Sequence, residues 1–241
     1  MNPIVLITGA SRGIGAACAA LFAQHGWRVV IHYHKKEEAA RAQAQKCGAA
    51  LVVQADISQS AEVERAFSQI EAQLGTVDVL VNNAGIAAQG LLTDVTDADW
   101  NTMIGTNLSG AFYCCRRALP AMIAKKRGKI INISSIWGMV GASCEVAYSA
   151  AKAGLIGMTR ALAKEVAPSC IQVNCVAPGV VDTDMMTDFS MEDRRALAEE
   201  TPLGRLGTPE DIARAVWFLA SPDADFMTGQ VLSPNGGFVI G

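Results

Sequence analysis

Short apolar runs rich in Val and Ile alternate along the chain with longer amphipathic stretches. The runs at 4–8, 28–33, 50–54, 77–82, 129–134, 171–176 and 230–233 have the length and composition of strands. The stretches at 13–25, 35–46, 59–74, 97–124, 147–167 and 209–220 carry helical spacing. Ser58 signals one helix start. Thr208 followed by Pro209 signals another, a cap with Pro at the first helical position. The β-α-β-α order predicts an α/β fold, a doubly wound parallel sheet of about seven strands with helices on both faces. No internal repeat or linker-like shift interrupts it, so residues 1–241 read as a single domain. The rhythm breaks between Pro178 and Thr208, where only a short helix near 191–200 is predicted. A connection that long is usually functional, and 182–208 reads as a substrate lid.

Length and charge narrow the class. A chain of 241 residues fits one α/β domain. Lys plus Arg is 20 and Asp plus Glu is 23, a formal charge of −3, which argues against a nucleic-acid binder. An apolar share of 51% excludes disorder. No run approaches the ~18 apolar residues of a membrane span. The segment from Met1 to Gly9 lacks a basic region and a small-residue cleavage site, so the expectation is a soluble cytoplasmic protein with no membrane partner. The seven cysteines show no CxxC spacing. Cys18, Cys114, Cys170 and Cys175 lie in apolar patterns, where a reduced thiol acts as a small hydrophobe.

The first strand runs into Thr8-Gly9-Ala10-Ser11-Arg12-Gly13-Ile14-Gly15, and a helix follows. Glycine permits the tight turn and the close approach of backbone to phosphate. The helix N-terminus offers N–H groups and a positive dipole end to a pyrophosphate. The spacing is Gly-x-x-x-Gly-x-Gly, and more motifs follow in order: Asn82-Asn83-Ala84-Gly85, Ser135, Tyr148-x-x-x-Lys152, and Pro178-Gly179 with Thr183. In these motifs, over essentially its whole length, the chain resembles the short-chain dehydrogenase/reductase family. The resemblance implies a Rossmann fold. It also implies a cofactor site drawn from Gly9, Ser11, Arg12, Gly13, Ile14, Gly15, Asn83, Ala84, Gly85, Tyr148, Lys152, Pro178, Gly179, Val181 and Thr183.

The end of the second strand bears on which nicotinamide cofactor is used. An NAD enzyme of this architecture carries an acid about 20 residues past the glycine loop. Here the strand ends in Tyr33-His34-Lys35-Lys36, with no carboxylate until Glu37 and Glu38, which suit a helix first turn. Arg12 with Lys35 or Lys36 suits a 2′-phosphate, which favours NADP(H). His34 reads either as an adenosine contact, as the resemblance implies, or as a surface imidazole. Asp56 and Ile57 resemble the family's adenine contact.

Tyr148 and Lys152 are four apart in a helical stretch and share one face. Ketone reduction needs a proton delivered to oxygen. A phenol titrates near 10, and a neighbouring ammonium is expected to lower that value. Ser135 would polarise the carbonyl of the substrate. The resemblance makes Asn107 the fourth member, holding a water that links Lys152 to solvent.

Within the family the stretches 150–157, 202–211 and 228–231, with Asn235-Gly236-Gly237, are most like bacterial 3-oxoacyl-[acyl-carrier-protein] reductases. That implies reduction of a 3-oxoacyl thioester in fatty-acid synthesis. Reductases of acyl-CoA, sugars or steroids share these stretches and remain alternatives, as does a silent NADP-binding protein. A methyltransferase-like use of the fold is disfavoured by the glycine loop and the Tyr-x-x-x-Lys pair. Met185 and Met186, with Phe189 and Met191, read either as an adaptable acyl surface or as lid packing. The cluster Lys125-Lys126-Arg127-Gly128-Lys129 reads either as a dock for an acidic carrier protein or as cations at a helix C-terminus. Of the two docking arginines usual in the carrier-protein reductases, the first corresponds to Lys126 and the second to the uncharged Ser169. The small residues of 147–167 and the apolar tail Phe238-Val239-Ile240-Gly241 suggest the homotetramer common in the family.

Overall fold

The computed structural model describes residues 2–187 and 189–240. Met1, Asp188 and Gly241, which belong to the N-terminal, lid and tail readings above, lie outside the described residues. Seven strands form one parallel sheet in the order β3-β2-β1-β4-β5-β6-β7. The strands are β1 (Ile4–Ile7), β2 (Arg28–Tyr33), β3 (Leu51–Gln54), β4 (Val79–Asn82), β5 (Gly128–Ile133), β6 (Ile171–Val176) and β7 (Val231–Leu232). The helices are α1 (Gly13–Gln24), α2 (Glu37–Cys47), α3 (Ser60–Gln73), α4 (Asp97–Ile104), α5 (Gly110–Lys125), α6 (Trp137–Val140), α7 (Val146–Val166), α8 (Met191–Glu200) and α9 (Pro209–Ala220).

Successive residues of a strand point to opposite faces. Val5 and Ile7 of β1 pack with Cys18 and Phe22 of α1 and with Ile212 and Val216 of α9. Ile4 and Leu6 pack on the other face with Phe67 of α3, Met122 of α5 and Val166 of α7. Burial on both faces is why the strands read as unbroken apolar runs. β1 pairs with both β2 and β4, so the chain direction of winding reverses there. Ligands of open α/β sheets bind in the crevice beyond the strand ends at such a switch point.

Four local expectations need correction. The helix expected over 97–124 is three segments: α4, a π-helical turn over Gly105–Ser109, and α5. One extra residue in a turn leaves the apolar spacing on either side helical, so the pattern hid the break. The short α6 was not expected, being only one turn long. Ser58 is not a cap; its N–H and hydroxyl both donate to Asp56 Oδ1, and α3 starts after Gln59. Cys170 is exposed with φ 58, because it occupies the left-handed turn before β6 and not the strand. Thr208 does cap α9, in a reciprocal pair with Asp211 and with Pro209 in the first turn. Among the described residues no helix is long and apolar enough to cross a membrane.

Candidate active site

The end of β1 and the end of β4 are stitched together. The Thr8 hydroxyl accepts from the N–H groups of Asn83 and Ala84, each at 3.0 Å. The Asn83 amide donates to the carbonyls of Thr8 and Gly9. Gly9 has φ 64, and a Cβ there would lie 2.8 Å from the Ala84 Cα. A Cβ on Gly15 would lie 2.5 Å from the Gly9 carbonyl oxygen. These contacts hold the loop close to the sheet and leave the start of α1 facing the crevice. The sequence reading did not identify His32. Its Nδ1 accepts from the Gly9 N–H at 3.1 Å, and its Nε2 lies 2.9 Å from the Ala55 carbonyl, so the proton sits on Nε2. Burial is the main force lowering its pKa to about 4, so the ring is neutral. A polar residue inside an otherwise apolar strand was the available signal.

One half of the crevice is lined by the glycine loop, His34, Lys35, Lys36, Asp56 and Ile57, with Asn83, Ala84 and Gly85 opposite. Arg12 lies at its mouth, 3.0 Å from Asp184. His34 Nε2 is 3.8 Å from Asp56 Oδ2. Burial opposes ionisation of Asp56, but the two bonds from Ser58, together with the nearby His34 and Lys35, outweigh it and hold the carboxyl below its ordinary value.

The other half brings together Asn107, Ser135, Tyr148, Lys152, Pro178, Gly179 and Val181. Ile14, Asn83, Gly85, Thr183 and Met185 border both halves. Ser135 follows β5, and its Oγ accepts from the Trp137 N–H at 3.2 Å. α7 carries Tyr148 and Lys152. The Lys152 ammonium donates to the Ile133 carbonyl at 2.8 Å and lies 5.6 Å from the Tyr148 ring centre. Burial brings Lys152 down to about 8. Burial also pushes the Tyr148 phenol up to about 12, with the Ser135 hydroxyl acting against the rise and the Glu145 charge adding to it. The expected lowering by Lys152 is therefore not what this pocket produces. Withdrawal from water dominates both groups, and the ammonium is tied to a backbone carbonyl. Asn107 lies in the π-helical turn. Its Oδ1 accepts from the Ile86 N–H at 3.1 Å and its Nδ2 donates to the Ile86 carbonyl at 3.0 Å. It thus fastens the strand-end segment that carries Gly85.

A family model described as enoyl-(acyl carrier protein) reductase matches residues 9–239. This chain belongs to the short-chain dehydrogenase/reductase family. It is similar to the 3-oxoacyl-[acyl-carrier-protein] reductase FabG of Chlamydia muridarum, with 43% identity over 98% of this chain and 97% of that protein. It is also similar to the uncharacterized oxidoreductase YmfI of Bacillus subtilis, at 42% over 99% of both chains. The reductase FabG of Staphylococcus aureus is 40% identical over 100% of this chain and 99% of its own. The chain is an oxidoreductase acting on the CH–OH/C=O pair, as its family is.

In this short-chain dehydrogenase/reductase the residues of the 182–208 connection divide. Met185, Met186 and Phe189 line the crevice, whereas Met191 is 82% exposed and takes no part in it. Arg194 of α8 pairs with Asp182 at 2.8 Å and donates to the Met186 carbonyl, so this connection is braced internally. Val181 bridges to Gly207 and anchors its two ends side by side. The basic cluster is largely engaged within the fold. Lys125 and Arg127 pair with Asp78, and Lys129 pairs with Asp225. Glu145 and Gln89 also line the crevice and were not expected from the sequence, where nothing distinguishes them from surface residues.

Proposed function

We propose that this protein reduces a 3-oxoacyl thioester, carried on acyl carrier protein, to the 3-hydroxyacyl thioester with NADPH, in fatty-acid synthesis. The observation carrying the reading is the meeting of Ser135, Tyr148 and Lys152 in one crevice that continues into the glycine loop. The names of the 40–43% identical relatives support the substrate class. The crevice suits a dinucleotide. Its loop is too close to the sheet for side chains at Gly9 and Gly15, and its far end holds Arg12, Lys35 and Lys36 where a 2′-phosphate would be received. His34, Asp56 and Ile57 would border the adenosine, and Pro178, Gly179, Val181 and Thr183 the nicotinamide end. NADPH, when bound, supplies the hydride.

The chain's own residues do the rest. Ser135 donates a hydrogen bond to the carbonyl oxygen and polarises it. Tyr148 delivers the proton to that oxygen as the alkoxide forms. Lys152 and Asn107 hold the pocket around them, and proton resupply runs along this side. Met185 and Met186 face the acyl chain. Residues 1–241 act as one catalytic unit with the lid at about 182–208. The exposed Ala150, Ala153, Gly157 and Ala161 of α7, with the tail at Phe238–Ile240, support a homotetramer. Seven free cysteines support a cytoplasmic location.

A second reading has its own support. Ser169 is uncharged, and Lys125, Arg127 and Lys129 are paired within the fold. These features favour a free CoA thioester or another small ketone over a carrier-bound one. NADPH consumption with acetoacetyl-CoA and with the acetoacetyl carrier protein, each repeated with NADH, tests both. Turnover of the carrier-bound thioester with NADPH is expected. Loss of all thioester turnover despite tight NADPH binding would refute the reading.

A further inference from the structure

Glu145 occupies the position just before α7, three residues ahead of Tyr148, yet its side chain makes no capping bond to the helix. It turns instead to the crevice, where Gln89 Nε2 donates to its Oε1 at a long 3.4 Å. The Gly90 N–H donates to the Cys144 carbonyl at 2.8 Å, which fixes the two segments beside each other. Glu145 is half-buried, and burial pushes its carboxyl above its ordinary value. Among the described residues it forms no ion pair. Among the described residues the other charged one lining this half is Lys152, whose ammonium faces the Ile133 carbonyl. The opposite wall is apolar, from Met186, Phe189 and Leu197.

A carboxylate in that position acts on whatever sits against Ser135 and Tyr148. Beside a half-buried carboxylate, a like charge is repelled more strongly than across bulk water. Specificity is often achieved by such a repulsive element built against the wrong ligand. We propose that Glu145 is a specificity-determining residue that excludes ketones bearing a negative charge near the carbonyl, so that a 3-oxo acid enters only with its carboxyl masked as an ester or thioester. The inference rests on the carbonyl-reductase reading above. It deepens that reading by giving the enzyme a reason to refuse the free acid.

The test compares acetoacetate with ethyl acetoacetate, which share the reacting ketone and differ in charge. Assays are run at about pH 8, well above the ordinary carboxylate range. The ratio of kcat/KM for the anion to that for the ester is read in the parent, in Glu145→Gln and in Glu145→Lys. A uniform loss of activity cancels in this ratio, so a purely structural role would not move it. The ratio is expected to rise about tenfold or more in Glu145→Gln and further in Glu145→Lys. A change under about threefold in both variants would overturn the inference. If the parent turns over neither ketone nor an acetoacetyl thioester, the carbonyl-reductase reading falls and the inference with it.

Discussion

Arg12 and Asp184 meet at 3.0 Å across the mouth of the crevice, one from the glycine loop and one from the short turn over Asp184–Met186. The guanidinium proposed to receive a 2′-phosphate is therefore already paired with a carboxylate. Both side chains are more than half exposed, so the pair contributes on the order of 0.2–1 kcal/mol.

Removing that competitor should favour the phosphate. Asp184→Asn is expected to tighten NADPH about two- to fivefold while leaving NADH within error. Fluorescence titration of both cofactors checks this. An equal shift for both would mean that Arg12 does not contact the phosphate.

Tyr148→Phe keeps the ring and removes the hydroxyl. Reduction should fall by about 10²-fold or more, in line with loss of a positioned acid, while NADPH binding stays largely intact. Retention of more than about a tenth of the activity would refute the role of Tyr148 as proton donor.

Lys152 makes a prediction about stability. Its pKa is lowered from 10.5 to about 8 by burial. Between those values the unfolded chain holds a proton that the folded chain has released, so folding gains stability as pH rises through this window. Lys152→Met removes the effect. The Tm of the variant minus that of the parent should fall as pH is raised from about 8 to about 10.5. A flat difference would show that Lys152 is solvated in the folded protein.

The sheet was legible because its strands are buried on both faces and its helices on one. Alternation of runs such as 28–33 with stretches such as 13–25 needs no tertiary knowledge. The glycine loop was legible because Gly9 and Gly15 are demanded by contacts under 3.0 Å. The spacing of Tyr148 and Lys152 placed them on one helix face, but only their order behind the glycine loop and the family resemblance marked them as candidates, which the fold brings to one crevice with Ser135. His32, Gln89 and Glu145 were not. Each acts across the fold, on Gly9, on Glu145 and on the crevice, and no local spacing connects such partners. The phenol pKa was misjudged for the same reason, since burial is a property of the assembled pocket.

The π-helical turn over Gly105–Ser109 acts as a phase shift. One residue advances an α-helix by about 100°, so an additional residue within a turn rotates everything after it by that amount. Upstream and downstream segments thereby obey two different angular settings. Asn107 faces Ile86, while Cys114, Cys115 and Met122 lie against the sheet. A straight helix could satisfy one setting or the other. Deleting a single residue from this turn would therefore be felt at both ends, although the helix itself would become more regular.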